Sequence, residues 1–149
     1  MARVSTYLNF MGNAEEAFEH YRAVFGTDYV NNGIMRLGDV PADPSMPLLS
    51  DADKRLVMHV ELPILAGHVL MATDMVESMG HTLRIGNNTT INLEPDTRDE
   101  ADRLYAALSE GGDETECSPL ADMFWGAYWG TCLDRFGIRW MFNCYTPAS

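Results

Sequence analysis

Apolar residues recur at Ala14, Ala17, Phe18, Tyr21 and Phe25, the spacing of one face of a 3.6-residue period. This predicts an amphipathic helix over Asn13–Phe25 that packs on a sheet. The run Val4–Phe10 before it alternates with a period of two. Val4, Thr6, Leu8 and Phe10 fall on one face of a strand, and Ser5, Tyr7 and Asn9 on the other. Asn13 and Glu16 have the spacing of a reciprocal N-terminal capping box, and Gly26 suits a left-handed C-cap.

The same plan occurs a second time. A strand-like run, Thr89–Leu93, leads into Thr97–Leu108 and then Gly111-Gly112. Glu16, Ala17, Tyr21 and Ala23 meet Glu100, Ala101, Tyr105 and Ala107 at a constant offset of 84 positions, and Thr97 with Glu100 repeats the capping box. Strands are predicted after each helix: Asp28–Leu37, Leu56–Ile64 and His68–Asp74 in the first half, Phe124–Leu133 and Ile138–Tyr145 in the second, with a weaker candidate near Thr115. The chain therefore reads as one α+β domain over residues 1–149, built from two tandem strand–helix–three-strand modules at about 1–80 and 86–146. Residues 38–53, with Pro41, Pro44 and Pro47, are too long for a tight hairpin; they read as a flap over a pocket or as a solvated insertion.

Composition narrows the classes of function. With 46% apolar and 21% charged residues the chain is ordinary globular protein, and no apolar run approaches the roughly 20 residues of a membrane helix. The beginning of the sequence shows no signal-peptide core, so a cytoplasmic protein is expected. A net charge of −12 repels phosphate backbones, which argues against nucleic acid and toward neutral or cationic small molecules; it also simply confers solubility. Cys117, Cys132 and Cys144 form no CxxC pair and read as small buried hydrophobes.

The segments Tyr7-Leu-Asn-Phe10, Asn13-Ala-Glu-Glu-Ala17, Phe25-Gly26, Val57-Met-His-Val-Glu-Leu62, Trp125-Gly126 and Asp134-Arg-Phe-Gly-Ile-Arg-Trp140 occur in that order. Together they resemble the vicinal-oxygen-chelate (glyoxalase/bleomycin-resistance/dioxygenase) superfamily, in its PhnB-like branch, over nearly the whole chain from Tyr7 to Asn143. The resemblance implies two curved mixed sheets around a cavity, a glyoxalase-like fold, and a homodimer as a common assembly. Some relatives carry a demethylubiquinone methyltransferase label. No glycine-rich loop follows a strand here to cradle a methyl-donor nucleotide, so no cofactor is expected. In metal-dependent members the ligands lie on the first and last strand of each module. The corresponding positions are Ser5, Met71, Asn88 and Met141, or Tyr7 and Thr90 if the first strands shift by two. Thioethers and neutral oxygens are poor ligands for Mn²⁺, Ni²⁺ or Zn²⁺, so no metal is expected. The four histidines show neither HxxxH nor HxH.

A ligand cavity would then be lined by Tyr7, Asn9, His59, Met71, Asn88, Thr90, Trp125, Tyr128 and Met141. His59 and Glu61 alternate with Met58, Val60 and Leu62, so they share a face and are the candidates for acid–base catalysis. Trp140 reads as core, and Asp134–Gly137 as a tight turn. Three readings follow. The first is a metal-independent binder of an aromatic or cationic small molecule. The second is an enzyme, either a lyase or dioxygenase or a metal-free catalyst using His59 and Glu61. The third is a dimeric regulatory module with a vestigial cavity.

Overall fold

The structure, a computed structural model, describes residues 1–147. Chain contacts divide it into two compact units, Met1–Arg84 and Ile85–Ser149. In the first, strand β1 (Thr6–Phe10) leads into helix α1 (Ala14–Phe25). Strand β2 (Met35–Arg36), a short helix α2 (Asp51–Lys54), β3 (Val57–Pro63) and β4 (Val69–Asp74) follow. The second holds β5 (Ile91–Leu93), α3 (Arg98–Ser109), β6 (Ser118–Asp122), β7 (Tyr128–Leu133) and β8 (Arg139–Cys144). Each unit has one four-stranded mixed sheet, in the orders β1-β4-β3-β2 and β5-β8-β7-β6. The first strand runs parallel to the last, and the other pairs are antiparallel. The fold is thus the α+β architecture of two repeated modules, and α1 and α3 stand 84 positions apart, as the sequence repeat requires.

Each helix packs through its predicted stripe. Ala14, Ala17, Phe18, Tyr21 and Val24 of α1 are buried, and Phe18 meets Phe10 edge to face at 6.2 Å. In α3 the buried residues are Ala101, Leu104 and Leu108, while the Tyr105 ring packs on Phe142 at 5.4 Å. Small alanines at equivalent positions let both helices approach their sheets, and burial of each large apolar side chain contributes about 1.5–3 kcal/mol.

The ends of the elements differ from the sequence reading in instructive ways. Asn13 is the N-cap of α1 but its side chain caps nothing. Asp74, at the end of β4, supplies the cap instead: its Oδ1 accepts from the backbone N–H groups of Gly12 and Ala14, each at 3.0 Å, and its Oδ2 from Val57 N–H at 2.8 Å. A carboxylate satisfies the orphan donors and also suits the positive end of the helix dipole, so the neutral amide is displaced. Thr97 does cap α3, accepting from Glu100 N–H at 3.1 Å, but the Glu100 carboxylate turns to Arg103. Gly26 takes the left-handed conformation expected of it, with φ of 65°.

The expected strand Asp28–Leu37 shrinks to Met35–Arg36, because Asn31, Asn32 and Gly33 all have positive φ (55°, 73° and 73°) and turn the chain. In the second unit the expected start at Phe124 is a turn, with Gly126 N–H donating to Met123 C=O, and β7 begins at Tyr128. Near Thr115 a single helical turn, Glu114–Glu116, precedes β6. The stretch 38–53 is irregular until Ser50 caps α2 by accepting from Asp53 N–H at 3.0 Å.

Asp134–Gly137 is the tight turn its sequence suggests. Gly137 N–H donates to Asp134 C=O, and the buried Asp134 carboxylate takes Phe136 N–H, Ile138 N–H and the Trp140 indole N–H. Trp140 is fully buried, as expected.

Candidate ligand-binding faces

The face of the first sheet turned away from α1 gathers most of the residues singled out in the sequence. Register places Tyr7, Met71 and Glu61 in one row across β1, β4 and β3, and Asn9 opposite Thr73 in the next. His59, two residues before Glu61 on β3 and opposite Met35 on β2, completes the group. The period-two expectation that His59 and Glu61 share a face is met: His59 Nε2 lies 3.8 Å from Glu61 Oε2. On the other side of the ring, Nδ1 is 3.4 Å from the Tyr7 hydroxyl, and the two rings sit 5.8 Å apart.

Glu61 is buried but not isolated. The Asn31 amide donates to Oε2, Arg3 lies 3.5 Å from Oε1, and Val30 N–H donates to the Glu61 backbone carbonyl at 3.2 Å. Asn31 and Arg3 were invisible to a strand-by-strand reading, since both come from segments outside the sheet. Burial pushes the Tyr7 phenol above its usual range, partly offset by a hydrogen bond with Thr73. Tyr7 is therefore a neutral hydroxyl near pH 7. Ser5 donates to the Met71 sulfur at 3.9 Å.

In the second sheet, Asn92, Met141 and Thr131 form the equivalent row, and Asn143 pairs with Trp129 in the next. Asn143 donates to Asn92 at 2.7 Å, and Asn92 donates in turn to Glu94 at 3.2 Å. Trp125 packs edge-on against Trp129 at 6.0 Å and remains half exposed. Met141 and Trp125 thus lie with this group.

Three of the expected lining residues do not. Asn88 and Thr90 precede β5, in an exposed segment, and Asn92 takes the strand position expected of them. Tyr128 points to the helix side of its sheet. Its ring lies under the Arg98 guanidinium at 3.9 Å and its hydroxyl donates to Asp102 on α3. The hydrogen bond to Asp102, more than the partial burial, holds the Tyr128 phenol protonated.

A separate half-open cleft of about 580 Å³ lies in the first unit, lined by Glu15, Arg36, Ala52, Arg55, Val57 and Asp74 among others. Arg36 there grips Glu15 through two hydrogen bonds of 3.0 and 2.9 Å, which hold the Glu15 carboxyl below its usual range. The end of the 38–53 stretch, through Ala52, forms part of its wall.

Neither a metal ion nor a methyl-donor nucleotide suits the residues present. For a metal, the positions on the first and last strands present the Ser5 hydroxyl and Met71 thioether in one unit, and the Asn92 amide and Met141 thioether in the other. No group of three His, Cys, Asp or Glu side chains with ligand spacing occurs among the described residues. This donor set does not fit a hard divalent ion. For a methyl-donor nucleotide, the two strand-to-helix junctions are the places to look. At the first, the Asp74 carboxylate already takes the Gly12 and Ala14 N–H groups; at the second, residues 94–97 contain no glycine. Neither fits such a cofactor.

Two repeated strand–helix–three-strand units, each with an open sheet face, define the glyoxalase-like fold. Solved structures agree. A glyoxylase/bleomycin resistance protein/dioxygenase domain from Frankia shares the fold at a TM-score of 0.59, with 10% identity over 100% of this chain and 96% of that one. The chain belongs to the family described as 3-demethylubiquinone-9 3-methyltransferase, which matches residues 2–142.

Protein PA1353 from Pseudomonas aeruginosa is 33% identical over 97% of this chain and 98% of its own, with a TM-score of 0.79. A putative 3-demethylubiquinone-9 3-methyltransferase, PhnB protein, from Bacillus cereus is 23% identical over 96% and 99%, with a TM-score of 0.72. Among curated proteins, YjdN from Escherichia coli is 26% identical, covering 94% of this chain and 93% of that protein. No helix among the described residues is long and apolar enough to cross a membrane.

Proposed function

We propose that this chain is a metal-independent small-molecule-binding protein that receives an aromatic or cationic organic ligand on its open sheet faces. The observation that carries this reading is the face holding Tyr7, Asn9, His59, Glu61 and Met71. Tyr7 is hydrogen-bonded to His59, His59 lies beside Glu61, and Asn31 holds Glu61, next to a soft apolar thioether. Sites of this kind orient a ligand with a few polar contacts on an apolar floor. The exposed indole of Trp125 and the Glu94 carboxylate on the second sheet suit a flat or cationic group. Met141 adds apolar surface, and Tyr128, held on α3, is left out of the proposed contacts.

A second reading, a metal-free acid–base enzyme, is favoured by one specific observation. His59 lies between a hydroxyl and a carboxylate, the order in which a proton would pass. The homodimer belongs to this proposal too, supported by the outer strands β1, β2, β5 and β6, each paired on one side only among the described residues. So does a cytoplasmic location, which the free thiols support: Cys132, whose thiol is pushed up to about 12 by burial, and Cys144 are both buried.

The test is the melting temperature of the purified protein across small aromatic and cationic compounds and across divalent metals. A compound at 100 times its dissociation constant adds about 2.7 kcal/mol, which raises the midpoint by several degrees at this size. The proposal expects a rise with an organic compound and none with Mn²⁺, Ni²⁺, Zn²⁺ or Fe²⁺. A chelator-reversible rise with a metal overturns it.

A further inference from the structure

The Tyr7–His59–Glu61 group has a direction built into it. Exposure falls along the series, from 49% at Tyr7 to 34% for the His59 side chain and 8% for that of Glu61. The outermost group meets a ligand, and the innermost sets the state of the one between. Glu61 is held firmly for that task. Asn31 reaches its carboxylate only because the chain turns through consecutive left-handed residues at Asn31 and Asn32, a conformation uncommon outside glycine and tolerated best by asparagine. Backbone of this kind persists where the surrounding structure imposes it and is frequent at functional sites. Arg3 approaches the other carboxylate oxygen.

A neutral imidazole carries one N–H and one lone pair, and its surroundings choose which nitrogen has the proton. A carboxylate has only acceptor oxygens. With Glu61 on the Nε2 side, a lone pair on Nε2 would face negative charge, whereas an N–H there is attracted to it. The proton therefore belongs on Nε2, and Nδ1 presents its lone pair to Tyr7. The Tyr7 hydroxyl then donates inward to Nδ1, and its half-exposed oxygen, which Thr73 also approaches, keeps acceptor capacity for the open face.

We propose that Glu61, positioned by Asn31 and Arg3, fixes His59 as the Nε2–H tautomer and so makes Tyr7 an acceptor on the open face. The ligand it selects is one that offers a proton donor, a hydroxyl or an ammonium group, to the Tyr7 oxygen. This deepens the binding reading above and rests on it for the ligand, though not for the tautomer. If a proton does move, it passes from the ligand donor to the Tyr7 oxygen while the Tyr7 proton passes to Nδ1. Imidazolium then stands beside Glu61, the phenol is regenerated, and the ligand keeps the electron pair of the broken bond. Asn31 and Arg3 act through Glu61 as positioning residues.

The tautomer is read in the ¹⁵N-labelled full chain by two-bond ¹H–¹⁵N correlation of the His59 ring at a pH where it is neutral, with His59→Gln to assign the signals. Wild type is expected to show Nε2–H. Glu61→Gln removes the negative charge that holds the proton on Nε2 and is expected to move the ring toward Nδ1–H, with Asn31→Ala moving it part of the way. A wild-type ring in the Nδ1–H form, or one unchanged by folded Glu61→Gln, overturns the proposal.

Tyr7→Phe changes a half-exposed residue and gives a second readout should the buried substitution unfold the chain. Phenol and anisole differ in the donor hydrogen. By chemical-shift titration wild type is expected to bind phenol about tenfold more tightly than anisole, and Tyr7→Phe to bind them alike. Equal binding by wild type overturns the donor assignment while leaving the binding face intact. If neither compound binds, the ligand assignment fails, and the small-molecule reading fails with it only if the melting panel is also silent.

Discussion

Replacing Asp74 with alanine should cost about 3–6 kcal/mol and lower the melting temperature by roughly 10–20 °C. The carboxylate is buried and takes three backbone N–H groups from three parts of the chain: Gly12 after β1, Ala14 at the start of α1, and Val57 at the start of β3. Removing it strands the buried Ala14 and Val57 donors, each at about 1–3 kcal/mol, while the exposed Gly12 N–H can turn to water. A helix cap is lost as well, and its negative charge at the positive helix end. Against a total stability of about 5–15 kcal/mol for a domain, this is enough to unfold a marginal chain. Asp74→Asn should retain part of the stability, because its one oxygen can still accept from Gly12 and Ala14. Asn13→Ala should change little, since that side chain makes no cap bond. Denaturant titration of the three variants orders them; an Asn13→Ala loss equal to that of Asp74→Ala would contradict this assignment of the cap.

Asp134 holds the second unit in a comparable way. Its Oδ1 accepts from Phe136 and Ile138 N–H at 2.9 Å each, and its Oδ2 from the Trp140 indole at 2.8 Å. Asp134→Ala should cost about 3–5 kcal/mol, because the fully buried Trp140 N–H and two turn amides lose their acceptor. Asp134→Asn isolates one part of that. Its oxygen can keep the two turn amides, but its NH₂ then faces the indole N–H, donor against donor, for an expected loss of about 2–3 kcal/mol. The double-mutant cycle with Trp140→Phe checks the cause. In a Trp140→Phe background the Asn substitution should cost much less. An undiminished cost would mean that the turn amides, not the indole, depend on the carboxylate charge.

The repeated plan was legible because it rests on local periodicity. The α1 and α3 stripes, the alternation on β1 and β3, and the glycine turns before the last strands are all written in nearest neighbours. So was the shared face of His59 and Glu61, which requires only that β3 be a strand. What the chain hid is long-range. Asp74 caps α1 from 60 positions away, and no local rule prefers it to Asn13, which stands in the capping position with the right chemistry. Asn31 and Arg3 reach Glu61 from outside the sheet, and Asn31 does so through a turn that a β-rich reading of Tyr29–Ile34 treats as strand. Tyr128 was a matter of parity: it precedes Gly130 and Cys132 on the face that meets α3, and strand alternation from Cys132 backwards would have placed it there. Asn88 and Thr90 were lost because β5 begins later than its apolar neighbours suggest. Met71 and Met141, where the resemblance implies metal ligands in other members, lie on the last strand of each sheet and carry sulfur where a hard ion needs a carboxylate or imidazole.

The most direct test of metal-independent binding is calorimetric titration of the strongest organic ligand from the melting panel into protein dialysed against chelator, repeated after Mn²⁺, Ni²⁺, Zn²⁺ or Fe²⁺ is restored. The same dissociation constant in both states, weakened in Tyr7→Phe, is the predicted result. Binding that disappears with the chelator and returns with one of the metals would contradict the account.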